Sequence, residues 1–186
     1  MRVTGGTIRG RRLKSPRGGT RPTTDLVRSA IFDALESQGA DLSRVLDLYA
    51  GSGALGIEAL SRGGGECDFI EHDRANAGII RENLRLTGLE ERGRVHQMPV
   101  ERATTKLRRS YTLVLADPPY AADEVAAILD RIARSHLVSE STALVWEQSS
   151  RSEAPEELGG LSLTWNRRYG DTQVSVYRSQ SRPSDG

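Results

Sequence analysis

A glycine-rich loop in the first third of the chain has the residue types of a cofactor-binding loop. Its glycines, Gly51, Gly53 and Gly56, satisfy G-x-G-x-x-G, and they stand between an apolar run and a helical segment. Glycine lets the backbone turn tightly and lets a ligand approach without meeting a Cβ atom. The spacing therefore favours a nucleoside-containing ligand over the alternative, a tight structural turn.

Two carboxylates flank this loop in sequence. Glu71 follows Gly51 by 20 residues, at the end of the second apolar run, where a carboxylate accepts hydrogen bonds from ribose hydroxyls. Asp47 precedes Gly51 by four residues. A carboxylate there would repel a pyrophosphate but could pair with the ammonium group of S-adenosylmethionine. Asp47 thus favours a methyl donor over a dinucleotide, unless it only caps neighbouring backbone amides.

A second candidate loop, Asp117-Pro118-Pro119-Tyr120, follows the apolar run Leu113-Val114-Leu115-Ala116. The prolines stiffen the turn and remove two N–H donors, so that its carbonyls stay free as acceptors. The Asp117 carboxylate and the Pro118 carbonyl suit the two N–H groups of an exocyclic amine, while Tyr120 would stack on the base. These acceptors would stabilise positive charge that develops on an attacking nitrogen, once the base has been taken out of its stack. The alternative is a proline-rich turn with a capping aspartate.

Both loops require strands that end at the same edge of a sheet. Short apolar runs predict strands over 45–48, 67–70, 94–98, 113–116 and 143–146, and they alternate with predicted helices over 55–62, 74–87, 100–108 and 124–135. A further helix begins at Thr23 or Thr24 and ends at Ser37, and a hairpin occupies 161–168 and 173–178. This alternation predicts an α/β fold with a mostly parallel sheet that has helices on both faces. Ligands of such sheets bind beyond the carboxyl ends of the strands, where both loops lie.

Length and composition limit the remaining classes. A chain of 186 residues predicts one domain, and its single cysteine, Cys67, cannot form an internal disulfide. No cysteine pair or histidine spacing indicates a metal, so we expect none. No apolar stretch approaches the roughly 18 residues of a membrane span, and we expect a cytoplasmic protein without a membrane partner.

The positive charge is concentrated at the N-terminus. Residues 1–28 carry a net charge of +7 and the rest of the chain −6. We expect an N-terminal arm or hairpin over 1–22 that contacts a polyanion, although a solvated tail has the same composition. The last residues, 179–186, are expected to be disordered. The domain between them spans 23–178.

These motifs resemble a known family. The segments 47–56 and 117–120 are similar to motifs I and IV of the S-adenosylmethionine-dependent amino-methyltransferases. The stretches Gly5-Gly6, Gly10-Arg11-Arg12-Leu13 and Thr20-Arg21-Pro22-Thr23-Thr24-Asp25 through Arg28 resemble the N-terminal signature of the bacterial 16S rRNA guanine-N2 methyltransferases of the RsmD type. The turn Tyr169-Gly170-Asp171-Thr172 fits the same family, and the resemblance covers residues 2–178.

The resemblance implies a Rossmann-like methyltransferase domain with a seven-stranded sheet that ends in an antiparallel strand. It implies methyl transfer from S-adenosylmethionine, giving S-adenosylhomocysteine, to the N2 amine of one guanine in 16S rRNA within a 30S particle. We expect a monomer. The implied catalytic residues are Asp117, Pro118, Pro119 and Tyr120, and the implied donor contacts are Asp47, Tyr49, Gly51, Gly53 and Glu71. The expected RNA contacts are Arg9, Arg11, Arg12, Lys14, Arg21 and Thr23.

The chain departs from the family pattern after the third strand. Many relatives have Asp or Asn there to hold the adenine amine, whereas this chain has Met98-Pro99-Val100. Backbone groups, apolar packing by Met98 or the Glu101 carboxylate would then contact the adenine.

Other classes share part of this pattern. Amino-methyltransferases that act on DNA adenine or cytosine, or on protein glutamine, would have the same core. A nicotinamide-dependent oxidoreductase would share the glycine loop and Glu71, but it has no use for Asp-Pro-Pro-Tyr. A non-enzymatic RNA-binding module would explain only the basic arm.

Overall fold

The structure, a computed structural model, describes residues 1–16, 24–119 and 122–180. Its helices are α1 Asp25–Ser37, α2 Ala54–Ser61, α3 Arg74–Thr87, α4 Ala103–Lys106 and α5 Ala122–Ala133. Its strands are β1 Arg44–Leu48, β2 Glu66–Glu71, β3 Gly93–Gln97, β4 Tyr111–Ala116, β5 Val138–Ser149, β6 Glu157–Leu158, β7 Leu161–Tyr169 and β8 Thr172–Arg178. No helix in these ranges combines the length and the apolarity needed to cross a membrane.

The strands form one sheet in the order β3-β2-β1-β4-β5-β8-β7-β6. Strands β1 to β5 pair in parallel, and β8 lies antiparallel between β5 and β7. The predicted α/β Rossmann-like fold is confirmed. The described sheet has eight strands rather than seven, because the two residues of β6 add a short edge beside β7.

The sheet has an apolar layer on each face. On one face, α1, α2 and α3 contribute side chains such as Phe32, Ile57 and Ile80. On the other, α5 contributes Leu129 to an apolar cluster that also contains Trp146 of β5. Strand β4 is buried along its whole length, as its uninterrupted apolar run requires. Both faces are therefore covered, and the carboxyl edge is left for the loops.

Most elements match their predicted bounds to within two residues, and two differ by more. The helix predicted over 100–108 is a 3-10 turn, Val100–Arg102, followed by the single turn α4. The adjacent Thr104 and Thr105 disfavour a longer helix, and the Thr105 hydroxyl donates to the Arg102 carbonyl instead. Strand β5 continues past its predicted end at 146 because β8 pairs with it as far as Ser149.

The first 16 residues fold back on themselves and dock on the helical layer. Arg2 and Arg12 form an antiparallel bridge, and the N–H of Val3 donates to the carbonyl of Arg11 at 3.0 Å. The side chains of Val3 and Leu13 are buried in the core beside α1 and α2. We call residues 1–16 the N-terminal segment.

A buried carboxylate on α2 anchors this segment. The oxygens of Glu58 accept hydrogen bonds from the N–H groups of Thr4 and Gly5 at 2.8 and 2.7 Å. They also pair with the guanidinium groups of Arg28 and Arg62, at 3.2 and 2.9 Å. Arg28, which contributes to the positive charge of residues 1–28, is 0% exposed and belongs to this anchor.

Asp68 of β2 forms a second buried polar cluster, which yields a stability prediction. Burial raises the pKa of this carboxyl, but hydrogen bonds from His96, Arg109 and Tyr111 outweigh it and lower the pKa to about 2. The unfolded pKa is near 4, so the cluster stabilises the fold above that pH and its contribution is lost as the pH falls through 2. We expect Asp68→Asn to lower the free energy of unfolding by about 2 kcal/mol at pH 7. Urea unfolding at pH 7 and at pH 3 measures this, and an equal loss at both pH values would contradict it.

Candidate functional site

The glycine loop lies where β1 ends and α2 begins. Its backbone is left-handed at Tyr49, Gly51 and Gly53, with φ of 55°, 56° and 77°, and Gly53 forms the N-cap of α2. Among the described residues, Tyr49 is the one non-glycine with a positive φ. Such strain in a non-glycine residue concentrates at functional sites.

The three motif glycines have different roles. A Cβ atom on Gly56 would lie 2.4 Å from Phe69 Cε1 and 2.7 Å from Cys67 Sγ, so this glycine allows α2 to pack on β2. A Cβ atom on Gly53 would lie 3.1 Å from Ile80. A Cβ atom on Gly51 would meet only the Tyr49 carbonyl oxygen, at 3.9 Å. Packing therefore accounts for the absence of a side chain at Gly56. At Gly51 the space next to the backbone is open, so a ligand could lie there.

This difference predicts that an alanine at Gly56 affects mainly stability, whereas an alanine at Gly51 also affects ligand binding. We expect Gly56→Ala to lower the free energy of unfolding by about 1–3 kcal/mol, because it overpacks the core. We expect Gly51→Ala to cost about 1 kcal/mol of stability for its left-handed backbone and to weaken binding of S-adenosylhomocysteine about tenfold. Thermal unfolding and calorimetric titration measure the two effects. Equal donor affinity in Gly51→Ala and the wild type would show that no ligand approaches this glycine.

Glu71 is held against the same loop. Its Oε2 accepts the N–H of Gly51 and its Oε1 accepts the N–H of Asp73, both at 2.8 Å. The side chain is buried at the carboxyl end of β2. A carboxylate has about four lone-pair positions, and these two bonds leave capacity for ribose hydroxyls.

Asp47 is buried below the loop. Its Oδ2 accepts the N–H of Gly56 at 2.9 Å, so the amide-capping role considered from the sequence is present. Burial raises the pKa of Asp47 well above its usual value, and repulsion from Asp117 and Glu71 raises it further against the Gly56 bond. Two carboxylates from other segments of the sequence, Asp117 and Glu71, therefore act on Asp47. A cation bound among them would relieve both the repulsion and the desolvation, which fits the ammonium group of S-adenosylmethionine.

The Asp-Pro-Pro loop lies next to the glycine loop. Strand β4 ends at Ala116, which is in register with Leu48 of β1, so Asp117 follows β4 where Tyr49 follows β1. Asp117 and Pro118 are half-buried, and Pro119 is exposed. Tyr120 lies outside the described residues, so its stacking role stays a prediction.

The residues after β3 that the sequence predicts near the adenine lie close to the glycine loop's strand partner β2. Met98 is half-buried, and its N–H donates to the carbonyl of Glu71 at 3.0 Å. Burial raises the pKa of Tyr49 to about 12, and the nearby Glu101 carboxylate adds to the rise against an opposing effect of Arg131. The Tyr49 hydroxyl is buried with no hydrogen-bond partner among the described residues. Of the buried polar side-chain atoms without a hydrogen-bond partner among the described residues, the Tyr49 hydroxyl lies closest in sequence to the glycine loop.

The predicted RNA contacts fall partly on the N-terminal segment. The side chains of Arg9, Arg11, Arg12 and Lys14 are exposed there. Arg21 and Thr23 lie outside the described residues. No group of three or more His, Cys, Asp or Glu residues converges as a metal site within the part of the chain that the structure describes.

Asn83 links the N-terminal segment to the glycine loop, and the sequence reasoning missed it. Its Oδ1 accepts the N–H of Lys14 at 2.8 Å, and its Nδ2 donates to the carbonyls of Lys14 and Ser52 at 3.0 and 2.9 Å. The side chain is 0% exposed. A lone asparagine on the apolar face of an amphipathic helix, between Ile80 and Leu84, was the available signal.

Comparison with known proteins identifies the family. The sequence family described as "Conserved hypothetical protein 95" matches residues 1–178. The chain belongs to this family. The Bacillus subtilis protein YlbH, named as a candidate rRNA methyltransferase, is 37% identical over 97% of this chain and 100% of its own length. The "Ribosomal RNA small subunit methyltransferase D" of Escherichia coli K12 is 29% identical over 98% of this chain and 91% of its own length.

A solved structure supports the same grouping. The Escherichia coli protein yhhF, titled as a candidate methyltransferase, superposes with a TM-score of 0.84 at 27% identity, and the match covers 97% of this chain and 99% of that chain. The resemblance to RsmD-type methyltransferases is confirmed by these family members. The site residues themselves stay predictions, because their placement comes from this chain alone.

Proposed function

We propose that this protein transfers a methyl group from S-adenosylmethionine to the exocyclic N2 amine of a specific guanine in 16S rRNA, as a cytoplasmic monomer that acts on a 30S assembly particle. One structural observation carries the chemistry: the Asp117 loop lies beside the glycine loop, within electrostatic reach of Asp47 and Glu71. This position supports the proposal that a loop accepting an amine and a loop binding a cationic nucleoside act at one edge of the sheet. The names of the relatives support rRNA as the substrate.

Bound S-adenosylmethionine supplies an electrophilic methyl group on a positively charged sulfur. Asp47 would hold the ammonium end of this donor, and Glu71, already oriented by Gly51, would accept from the ribose hydroxyls. The open backbone at Gly51 would pass close to the donor.

The Asp-Pro-Pro-Tyr loop would hold the guanine. The Asp117 carboxylate and the Pro118 carbonyl would accept the two N–H bonds of the N2 amine and stabilise the positive charge that grows on nitrogen as it attacks. The new N–C bond would form as the methyl–sulfur bond breaks, and the methylated amine would then lose one proton to water. Half-burial of Asp117 strengthens this interaction, since water screens it less. Tyr120 would stack on the flipped base.

The N-terminal segment would position the RNA through phosphate contacts of Arg9, Arg11, Arg12 and Lys14. Arg21 and Thr23 would approach the target base. Removing the segment is a poor test, because it would strip two N–H partners from the buried Glu58. Replacing the exposed Arg9, Arg11 and Arg12 with Gln preserves the anchor, and we expect lower rRNA affinity with unchanged affinity for S-adenosylhomocysteine.

The deciding experiment supplies labelled S-adenosylmethionine and 30S particles or 16S rRNA from cells that lack the activity, followed by nucleoside digestion. N2-methylguanosine at one site is the expected product. N6-methyladenosine would overturn the guanine assignment, and label only in DNA or protein would overturn rRNA as the substrate. Titration with NADH, run beside S-adenosylmethionine, tests the oxidoreductase alternative, and we expect binding of the methyl donor only.

A further inference from the structure

Helix α3 presents a row of arginines to solvent. Arg74, Arg81 and Arg85 are all exposed, and they are separated by seven and four residues. An α-helix turns about 100° and rises about 1.5 Å per residue, so the three lie within an arc of about 40° along about 16 Å of the helix. Gly78 belongs to the same face, and a Cβ atom there would have no neighbour within 4 Å. We call Arg74, Arg81 and Arg85 the α3 row.

The acidic groups on and beside α3 leave this row with excess positive charge. Asp73 caps the helix by accepting the N–H of Asn76 at 2.8 Å. The Glu82 carboxylate pairs with Lys14 and lies 4.0 Å from the guanidinium of Arg85. Among the residues that the structure describes, Arg74 and Arg81 form no ion pair.

The row is continuous with the N-terminal segment. Asn83, on the opposite side of α3, fixes the backbone of Lys14 through two hydrogen bonds. The Lys14 ammonium then reaches the same Glu82 oxygen that faces Arg85. The exposed cations of the segment and those of α3 therefore lie on adjoining surfaces that are held together by buried contacts.

We propose that the α3 row is a second phosphate-binding surface, which holds the backbone of the rRNA substrate alongside the N-terminal segment. Guanidinium groups bind phosphate through two parallel hydrogen bonds. Arg74 and Arg81 form no ion pair among the described residues, and Arg85 has only the 4.0 Å contact with Glu82, which Lys14 shares. The missing side chain at Gly78 lets a sugar-phosphate chain lie close to the helix between Arg74 and Arg81. This inference rests on the proposed rRNA substrate and extends its contact surface to a helix that lacks the family signature.

The test is the salt dependence of RNA binding by Arg81→Gln/Arg85→Gln, measured with 16S rRNA in the presence of S-adenosylhomocysteine. Affinity falls as salt rises, and each lost phosphate contact reduces the magnitude of the slope of log affinity against log salt by about 0.7–0.9. For two lost contacts we expect the magnitude to fall by roughly 1.5. The matched control is Arg44→Gln, an exposed arginine at the first position of β1, on the amino edge of the sheet opposite the site. Thermal unfolding checks the fold, and the single variant Arg81→Gln, with an expected decrease of about 0.8, serves if the double variant is unstable.

The outcomes separate this inference from the proposed function. A slope that falls in the double variant but not in Arg44→Gln supports the surface. If the slope equals that of the wild type and the wild type methylates 16S rRNA, the α3 row does not bind phosphate, and the proposed function still stands. An altered affinity for 30S particles at an unchanged slope on naked rRNA would also overturn it, because the row would then contact protein. Failure of the wild type to methylate rRNA would instead refute the proposed function.

Discussion

Asp117→Ala is expected to lower kcat by about 10²–10³-fold while the affinity for the methyl donor is retained. The variant removes the carboxylate that would stabilise the charge developing on the guanine amine, so it removes an interaction made most strongly in the transition state. Donor affinity should not fall, because Asp117 raises the pKa of Asp47 and its loss leaves Asp47 more readily ionised. Single-turnover methylation of 30S particles and calorimetric titration with S-adenosylhomocysteine measure the two quantities.

Two further variants make this test specific. Asp117→Asn keeps an acceptor oxygen without the charge, and we expect its kcat to lie between those of the alanine variant and the wild type. Glu140→Ala removes an exposed carboxylate near the start of β5, at the opposite edge of the sheet, and should leave kcat unchanged. Asp117 would be a donor ligand and not an amine acceptor if donor affinity fell while turnover per bound donor stayed constant.

The sequence was sufficient for the elements that position the site, because their signals are local. Helix α3 matches its predicted bounds: Asp73 accepts an N–H at the start, and Gly88 ends the helix with left-handed backbone. The carboxyl edge was predictable because parallel strands must all end there, which brought Asp117 towards Asp47. These are consequences of chain direction and hydrogen-bond pattern.

The remaining features depend on tertiary contacts that have no local signal. Arg28 carries the same charge as Arg11, yet one is buried against Glu58 and the other is exposed. The composition of residues 1–22 predicted a basic arm or hairpin, but nothing in the order of these residues shows that Glu58 lies opposite Thr4. The different roles of Gly51 and Gly56 likewise depend on the distance to Phe69, a residue of another strand.

Asp47→Asn is expected to stabilise the donor-free protein and to weaken donor binding. The amide keeps an oxygen that can accept the N–H of Gly56, so the cap at 2.9 Å survives. It removes a buried negative charge that Asp117 and Glu71 repel, and the free energy of unfolding should rise by about 1 kcal/mol at pH 7. It also removes the proposed partner of the donor ammonium, which should raise the Kd for S-adenosylhomocysteine roughly 10- to 100-fold.

The pH dependence follows from the direction of the pKa shift. The pKa of Asp47 is raised in the folded state, so the folded protein holds this proton more tightly than the unfolded chain does. The protonated Asp47 carboxyl therefore contributes its full stability below about pH 4, the pKa of this group in the unfolded chain. The contribution is lost progressively as the pH rises towards the pKa of Asp47 in the folded protein. The stability difference between Asp47→Asn and the wild type should grow over that interval, opposite in direction to the behaviour of Asp68.

Denaturant unfolding of both proteins between pH 4 and pH 8, with and without S-adenosylhomocysteine, measures these effects. The ligand should stabilise the wild type more than Asp47→Asn, because binding to the folded state adds RT ln(1 + [L]/Kd). Glu140→Gln provides the control for loss of an exposed carboxylate and should change neither quantity. Destabilisation of the donor-free Asp47→Asn protein with unchanged ligand affinity would mean that Asp47 only caps α2. If Asp47→Asn is more stable than the wild type but binds S-adenosylhomocysteine more weakly, the buried charge of Asp47 costs stability in the free protein and serves to bind a cationic ligand.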